Sequence, residues 1–200
     1  MNYKRLAQFA LPALFFIVTS VAQAAQQSVD FGRYGSSFFT TDPWDVYYID
    51  TTDPDYYDGG FKSVADLTSN QWIATNYFES PLSVFTSSVG TFNLDGLWLA
   101  GAWGSQTLTI TGYLNGTQLY ETTVDVTTTA YQFSFDFQGI DSFSIASSGL
   151  YVQDPSLSKI GSNWVLGAVE VTAVPEPEAY AMLLAGLALV GAMARRRRGV

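Results

Sequence analysis

The middle of this chain predicts an all-β fold, an antiparallel β-sandwich. Three observations carry the prediction. Tyr131, Phe133, Phe135 and Phe137 recur at every second position with Gln132, Ser134 and Asp136 between them, the period of a half-buried strand. Leu108, Ile110 and Leu114 alternate with Thr and Tyr, then Asn115 and Gly116 mark a hairpin turn before Gln118 to Val126 returns, because both turn residues tolerate positive φ. Finally, almost no stretch has helical periodicity, and short Thr-, Val- and aromatic-rich runs dominate, as in sandwiches.

In chain order, short strands are expected at Ser28 to Phe31 and Asp45 to Ile49, with a loop at Asp50 to Gly60. Phe61 to Asn76 has no clear period; Ser63 to Leu67 fits one helical turn. Ser83 to Val89 and Gly90 to Trp98 read as strands. A strict two-residue hairpin loop would pair Ile110 with Glu121, which is awkward on a core face. A longer loop with a bulge shifts the register by one and turns Tyr120, Val124 and Val126 inward instead, and that version is expected. Gln138 and Gly139 should turn the chain, with Ile140, Phe143 and Ile145 beginning the next strand. Ser147 to Ser162 reads as a polar loop, and Asn163 to Thr172 as the closing strand. Asn115, Gly116 and Thr117 also spell a glycosylation sequon, which the hairpin turn explains.

Both ends read as targeting segments. Lys4 and Arg5, the apolar Leu11 to Val18 and the small residues Ala22 and Ala24 make a secretory signal peptide over 1–24, cleaved between Ala24 and Ala25. At the other end, Val174, Pro175, Glu176 and Pro177 precede an uncharged run, 179–194, and then Arg195, Arg196, Arg197 and Arg198. As a helix that run would be about 24 Å long, a short membrane span, with the arginines snorkelling and staying cytoplasmic. The bare pattern fits a plain anchor or a sorting signal.

The residues between, 25–173, form one domain of ordinary size. Sixteen acids against Arg33, Lys62 and Lys159 leave this body at −13, which repels nucleic acid and anionic headgroups and leaves divalent cations and neutral glycans as partners. There is no cysteine and no histidine. Disulfides, thiolate zinc sites and the Ser-His-Asp and Cys-His arrangements are excluded.

Val174 to Pro177, the Leu/Gly-rich run and the terminal arginines resemble the PEP-CTERM sorting signal. That resemblance implies export from a bacterium with an outer membrane, usually one that makes exopolysaccharide, and processing by an exosortase that recognises Pro175, Glu176 and Pro177. Leu108 to Ile145 is also similar to the jelly-roll, galactose-binding-like bodies common in that group. The closing Asp-Asn pair of those bodies is absent; this chain has Gly167, Ala168, Val169 and Glu170, so a site built on that pair is not carried over.

Two features of the body invite chemistry. Asp42, Asp45, Asp50, Asp53, Asp55 and Asp58 crowd one loop region. They read first as a solvated acidic loop. The alternative is a calcium loop at Asp53, Asp55 and Asp58, although the spacing misses that of an EF-hand by one residue. Aromatics are the second feature: Trp44, Tyr47, Tyr48, Tyr56, Tyr57, Trp72, Trp98, Trp103 and Trp164 could stack on sugar rings. The loop-borne Trp44, Tyr56 and Tyr57 are the candidate glycan contacts, while Phe133, Phe135 and Phe137 belong to the core. A hydrolase would need two carboxyls about 5 to 10 Å apart, and no motif singles out a pair. The sequence therefore predicts a non-enzymatic exported surface or matrix protein. The alternatives are a carbohydrate-binding module for exopolysaccharide, with calcium dependence open, and more remotely a glycan hydrolase.

Overall fold

A computed structural model describes residues 25–56, 58–174 and 184–191. Twelve strands form two antiparallel sheets. The first sheet centres on two long strands, β6 (Phe92–Gly101) and β12 (Trp164–Ala173). On the far side of β6 lies β9 (Tyr131–Ile140). The other side of β12 is shared: β4 (Trp72–Asn76) pairs with its beginning at Val165 and Leu166, and β1 (Gln26–Asp30) with its remainder, from Ala168 to Thr172. Strand β3 (Val46–Asp50) pairs with β4 and ends the sheet.

The second sheet has β7 (Gly104–Leu114) flanked by β8 (Thr117–Val126) on one side. On the other side stand β10 (Ser142–Ser147) and the two-residue β11 (Val152–Gln153). Next to β10 come β5 (Leu82–Ser87) and β2 (Phe39–Thr41).

Side chains from both sheets meet in one core that includes Phe85, Phe92, Leu97, Ile110, Phe143 and Trp164, each fully buried. Apolar burial of this extent drives the collapse, at about 25 cal/mol per Å². A second, smaller core lies on the outer face of the first sheet. Helix α1 (Gly59–Thr68) drops Phe61 and Val64 onto Ile49, Ile73, Ala100 and Val165 there.

The hairpin has the expected register. Leu114 pairs with Thr117 across Asn115 (φ 50°) and Gly116 (φ 74°). A bulge at Leu119 then moves the pairing by one, so Ile110 faces Thr122 and Gly112 faces Tyr120. The expected longer loop is not found: the loop is the strict two-residue one, and the extra residue sits within β8. In β9, Phe137 is buried and Phe133 and Phe135 are partly buried against the core, while Tyr131 is exposed.

Four expectations are corrected. Gln138 and Gly139 do not turn the chain; β9 continues to Ile140, and Gly139 (φ 64°) sits in a bulge where its N–H donates to Asn93 Oδ1 at 2.9 Å. The single turn at Ser63 to Leu67 is a ten-residue helix, because Asp58 caps it: its Oδ1 accepts from Gly59 N at 2.8 Å. Consequently the loop from Asp50 closes at Asp58. Strands β2, β4 and β11 lay unread in the sequence, β11 inside the expected Ser147 to Ser162 loop, since β2 and β11 have three and two residues and β4 is buried on both faces.

Residues 184–191 are helical. The rest of the expected 179–194 span, the signal peptide, Pro175 to Pro177 and Arg195 to Arg198 lie outside the described residues. Among those described, no helix is long and apolar enough to cross a membrane.

Candidate functional site

Strand β3 pairs only with β4, so its other edge is open among the described strands. Alternation sends Val46 and Tyr48 toward the sandwich core and Tyr47 and Ile49 to the outer face. Along this edge aromatic side chains gather from five loops and from α1. The Gly32–Gly35 turn, closed by hydrogen bonds of 2.7 and 3.1 Å, presents Arg33 and Tyr34. The Arg33 guanidinium lies 5.6 Å from the Tyr34 ring centre. Trp44 stands in the turn before β3, where Asp42 Oδ1 accepts its N–H at 2.9 Å. Tyr77 packs edge-on to Trp44 and tilted to Tyr47, at 6.3 and 5.8 Å. Tyr56, Phe61 and Trp103 make a wall of rings, 5.5 and 5.1 Å apart.

Three adjoining clefts result. One of about 470 Å³ lies on the outer face, between the Tyr56–Phe61–Trp103 wall and the short 3-10 turn Tyr77–Glu79, with Asn163 also lining it. A second, also about 470 Å³, runs between Tyr34, Trp44, Tyr47 and Tyr77. The third, about 430 Å³, is bounded by Tyr34, Tyr47, Asp50, Asp53 and Tyr56. Tyr47 lines all three. Exposure along this track is high for apolar groups: Tyr34 89%, Phe78 85%, Trp44 74%.

Two features fix the first cleft. Phe78 (φ 44°) and Glu79 (φ 60°) both take the left-handed conformation, which costs a non-glycine residue of the order of 1–3 kcal/mol. Glu79 is then tied across to the loop before β12, its Oε2 accepting from Ser162 Oγ at 2.8 Å. Asn163 Nδ2 donates to Asn76 O at 3.0 Å, and Asn76 Oδ1 accepts from Trp164 N at 2.9 Å. The floor is therefore held by hydrogen bonds to the ends of β4 and β12.

Burial pushes the phenol pKa of Tyr48 up, a shift opposed by its hydrogen bond to Thr41, and burial also raises that of Tyr56. Backbone and side-chain hydrogen bonds from Thr52 hold Asp50 below the usual carboxylate value.

The sequence-chosen residues divide. Trp44 and Tyr56 stand on the track, and Tyr57 lies outside the described residues. Trp103 and Tyr47 join them, whereas Trp72 and Trp164 pack in or against the main core and Trp98 lies half-buried on β6 opposite Gln132. Tyr34, Tyr77, Phe78 and Glu79 escaped the sequence reading; the adjacent aromatics just before Pro81 were the available signal. The acidic loop is occupied with its own turns. Asp50 Oδ1 accepts from Thr52 N and Oγ1, Asp53 Oδ1 from Asp55 N, and Asp58 caps α1. Among the described residues no three carboxylates gather as a metal-binding group.

Residues 173–198 match the PEP-CTERM protein-sorting motif. No curated protein matches the chain. Among solved structures, a mutant of CBM29-2, a family 29 carbohydrate-binding module, is 9% identical with a TM-score of 0.41, covering 77% of this chain and 99% of its own. A DUF4465 family protein from Bacteroides ovatus is 8% identical with a TM-score of 0.40, over 75% and 99%. TmCBM61, in complex with β-1,4-galactotriose, is 11% identical with a TM-score of 0.32, over 69% and 87%. The motif indicates export and sorting by an exosortase, through a membrane-anchored precursor. Directly behind the last strand of its β-sandwich, this chain carries a PEP-CTERM sorting motif.

Proposed function

We propose that the chain is an exported, non-enzymatic surface or matrix protein whose β-sandwich holds a polysaccharide along the open edge of β3. One observation supports this most: Tyr34, Trp44, Tyr47, Tyr77 and Phe78 are exposed or half-exposed together, around adjoining clefts. Rigid aromatic faces are suited to the apolar faces of pyranose rings, because two χ angles cost little entropy to fix. Adjoining open clefts suit a chain of sugars better than a single one.

Catalysis fits the site poorly. A glycosidase needs two carboxyls across a cleft, and Glu79 is the single carboxylate among the described residues that line the first two clefts.

Retention of the full-length protein on its host's own exopolysaccharide tests the reading. Binding should persist in a chelator and fall about tenfold or more in Trp44→Ala, in line with a buried stacking contact of roughly 1–3 kcal/mol. Absence of retention under every condition would leave a structural matrix protein without a glycan site.

A further inference from the structure

The first cleft contains a convergence that stacking alone does not use. Gly161, buried at φ 146°, leaves a bare Cα facing it. A Cβ placed on Gly161 would stand 2.9 Å from Asn163 Oδ1, 3.0 Å from Glu79 Oε1 and 3.3 Å from Trp103 Cδ1. Two oxygens and an indole edge therefore converge on the Gly161 Cα, at a point too tight for a side chain. The amide orientation of Asn163 is fixed, because its Nδ2 donates to Asn76 O. Its Oδ1 therefore presents an acceptor. Glu79 uses Oε2 on Ser162, and among the described residues no hydrogen-bond donor engages Oε1 or Asn163 Oδ1. Both oxygens thus offer acceptors, one of them charged, in a place held by a strained backbone.

The rings beside this point already accommodate an ammonium. Lys159 Nζ lies 5.3 Å from the centre of Tyr56 and 5.4 Å from that of Trp103, within cation–π range. It forms no salt bridge with any described carboxylate, although the body carries −13. An ammonium has three donors and no acceptor, and it suits two open acceptors and an aromatic wall. A carboxylated sugar finds the opposite: Glu79 at the point itself and net negative charge around it.

Resting on the glycan reading above, we infer that the Tyr56–Trp103–Glu79 cleft is a subsite for a protonated amino sugar, so that the polymer held is one with free amino groups. The ammonium sits between Glu79 Oε1 and Asn163 Oδ1, and its sugar ring lies against Tyr77 and Phe78, the more exposed rings that line the same cleft.

Calorimetry on the full-length chain tests this with glucosamine tetramer, its fully N-acetylated counterpart and a glucuronate-containing oligomer, in mildly acidic buffer. The expected order is glucosamine tetramer tightest and the glucuronate oligomer weakest. Glu79→Gln should weaken the glucosamine tetramer about tenfold or more, the scale of a lost charge-assisted hydrogen bond, and leave the acetylated oligomer unchanged. Glu121→Gln on β8 removes the same charge elsewhere and should change neither. Equal loss in both variants would mean diffuse attraction and would overturn the subsite. Equal or better binding of the acetylated oligomer, lost in Trp44→Ala, would overturn the amino-sugar assignment while the glycan track stands. No binding of any oligomer or of the host polysaccharide would overturn both.

Discussion

Phe78 and Glu79 show how one pair of backbone angles can decide what a loop offers. In the ordinary helical or extended regions neither side chain would take its present direction; at positive φ they place a ring in solvent and a carboxylate at the cleft. Replacing Phe78 with glycine removes the Cβ penalty. We expect Phe78→Gly to stabilise the fold by about 1 kcal/mol or less, because glycine also gains entropy when unfolded, while weakening polysaccharide retention; urea melts and a pull-down measure the two. Nothing in the letters Tyr-Phe-Glu announces a left-handed pair, since that conformation is uncommon outside glycine and asparagine. Trp44 and Tyr56 were legible because they stood among turn-forming Asp, Pro and Gly rather than at strand spacing. Tyr48 carries an alkaline prediction. Its folded pKa is raised, so the folded state keeps its proton where the unfolded chain gives it up. Its contribution is complete below the unfolded value and is lost as pH rises through the folded one. Tyr48→Phe should flatten the alkaline limb of a thermal-stability profile. At the acid end Asp50 and Asp154 have lowered values, so their contribution is present above the unfolded value and lost as pH falls through the folded one.

At the scale of elements, α1 matters most to the site, because Tyr56 and Phe61 reach the cleft from its N-terminal end. The helix approaches the sheet closely only where side chains are missing. A Cβ on Gly167 would come within 2.3 Å of Val64 Cγ1, and one on Gly60 within 2.2 Å of Gly101 O. Gly167→Ala should cost about 1–3 kcal/mol by overpacking. Asp58→Ala, which removes the cap, should cost about 1 kcal/mol; equilibrium unfolding followed by circular dichroism reads both. The elements legible in the sequence were those with one wet face. β7, β8 and β9 alternate, and the need to bury Tyr120 and Val126 indicated the bulge at Leu119 before its position could be known. By contrast, β4 shows no alternation in Trp72, Ile73, Ala74, Thr75 and Asn76, because the main core takes one face and α1 covers the other. Helix α1 was reduced to a single turn for a related reason: two glycines at its start hide a pattern that the Asp58 cap and the sheet beneath it supply.

For the molecule as a whole, the two ends of β12 have separate duties. Its beginning follows Ser162 and Asn163, which hold the floor of the proposed amino-sugar subsite. Its end, Ala173, is followed by Val174, whose N–H donates to Thr91 O at 3.1 Å, and then by the sorting motif. Mass spectrometry of the mature protein from an exosortase-competent host should find a C-terminus without Arg195 to Arg198; retention of those arginines would count against processing. Ten residues of strand at about 3.3 Å each separate the two ends by roughly 30 Å. That separation has a mechanical meaning. In the precursor, before processing, a polymer tugging at the cleft and a tail fixed at the membrane would pull β12 along its own axis. The ladders to β6 on one side, and to β4 and β1 on the other, would then be sheared all at once rather than peeled open rung by rung. An antiparallel ladder resists shear far better than peeling, because many bonds must fail together. The strand between the proposed cleft and the sorting motif is thereby seated in the middle of its sheet, where a pull along it would be shared among three neighbours.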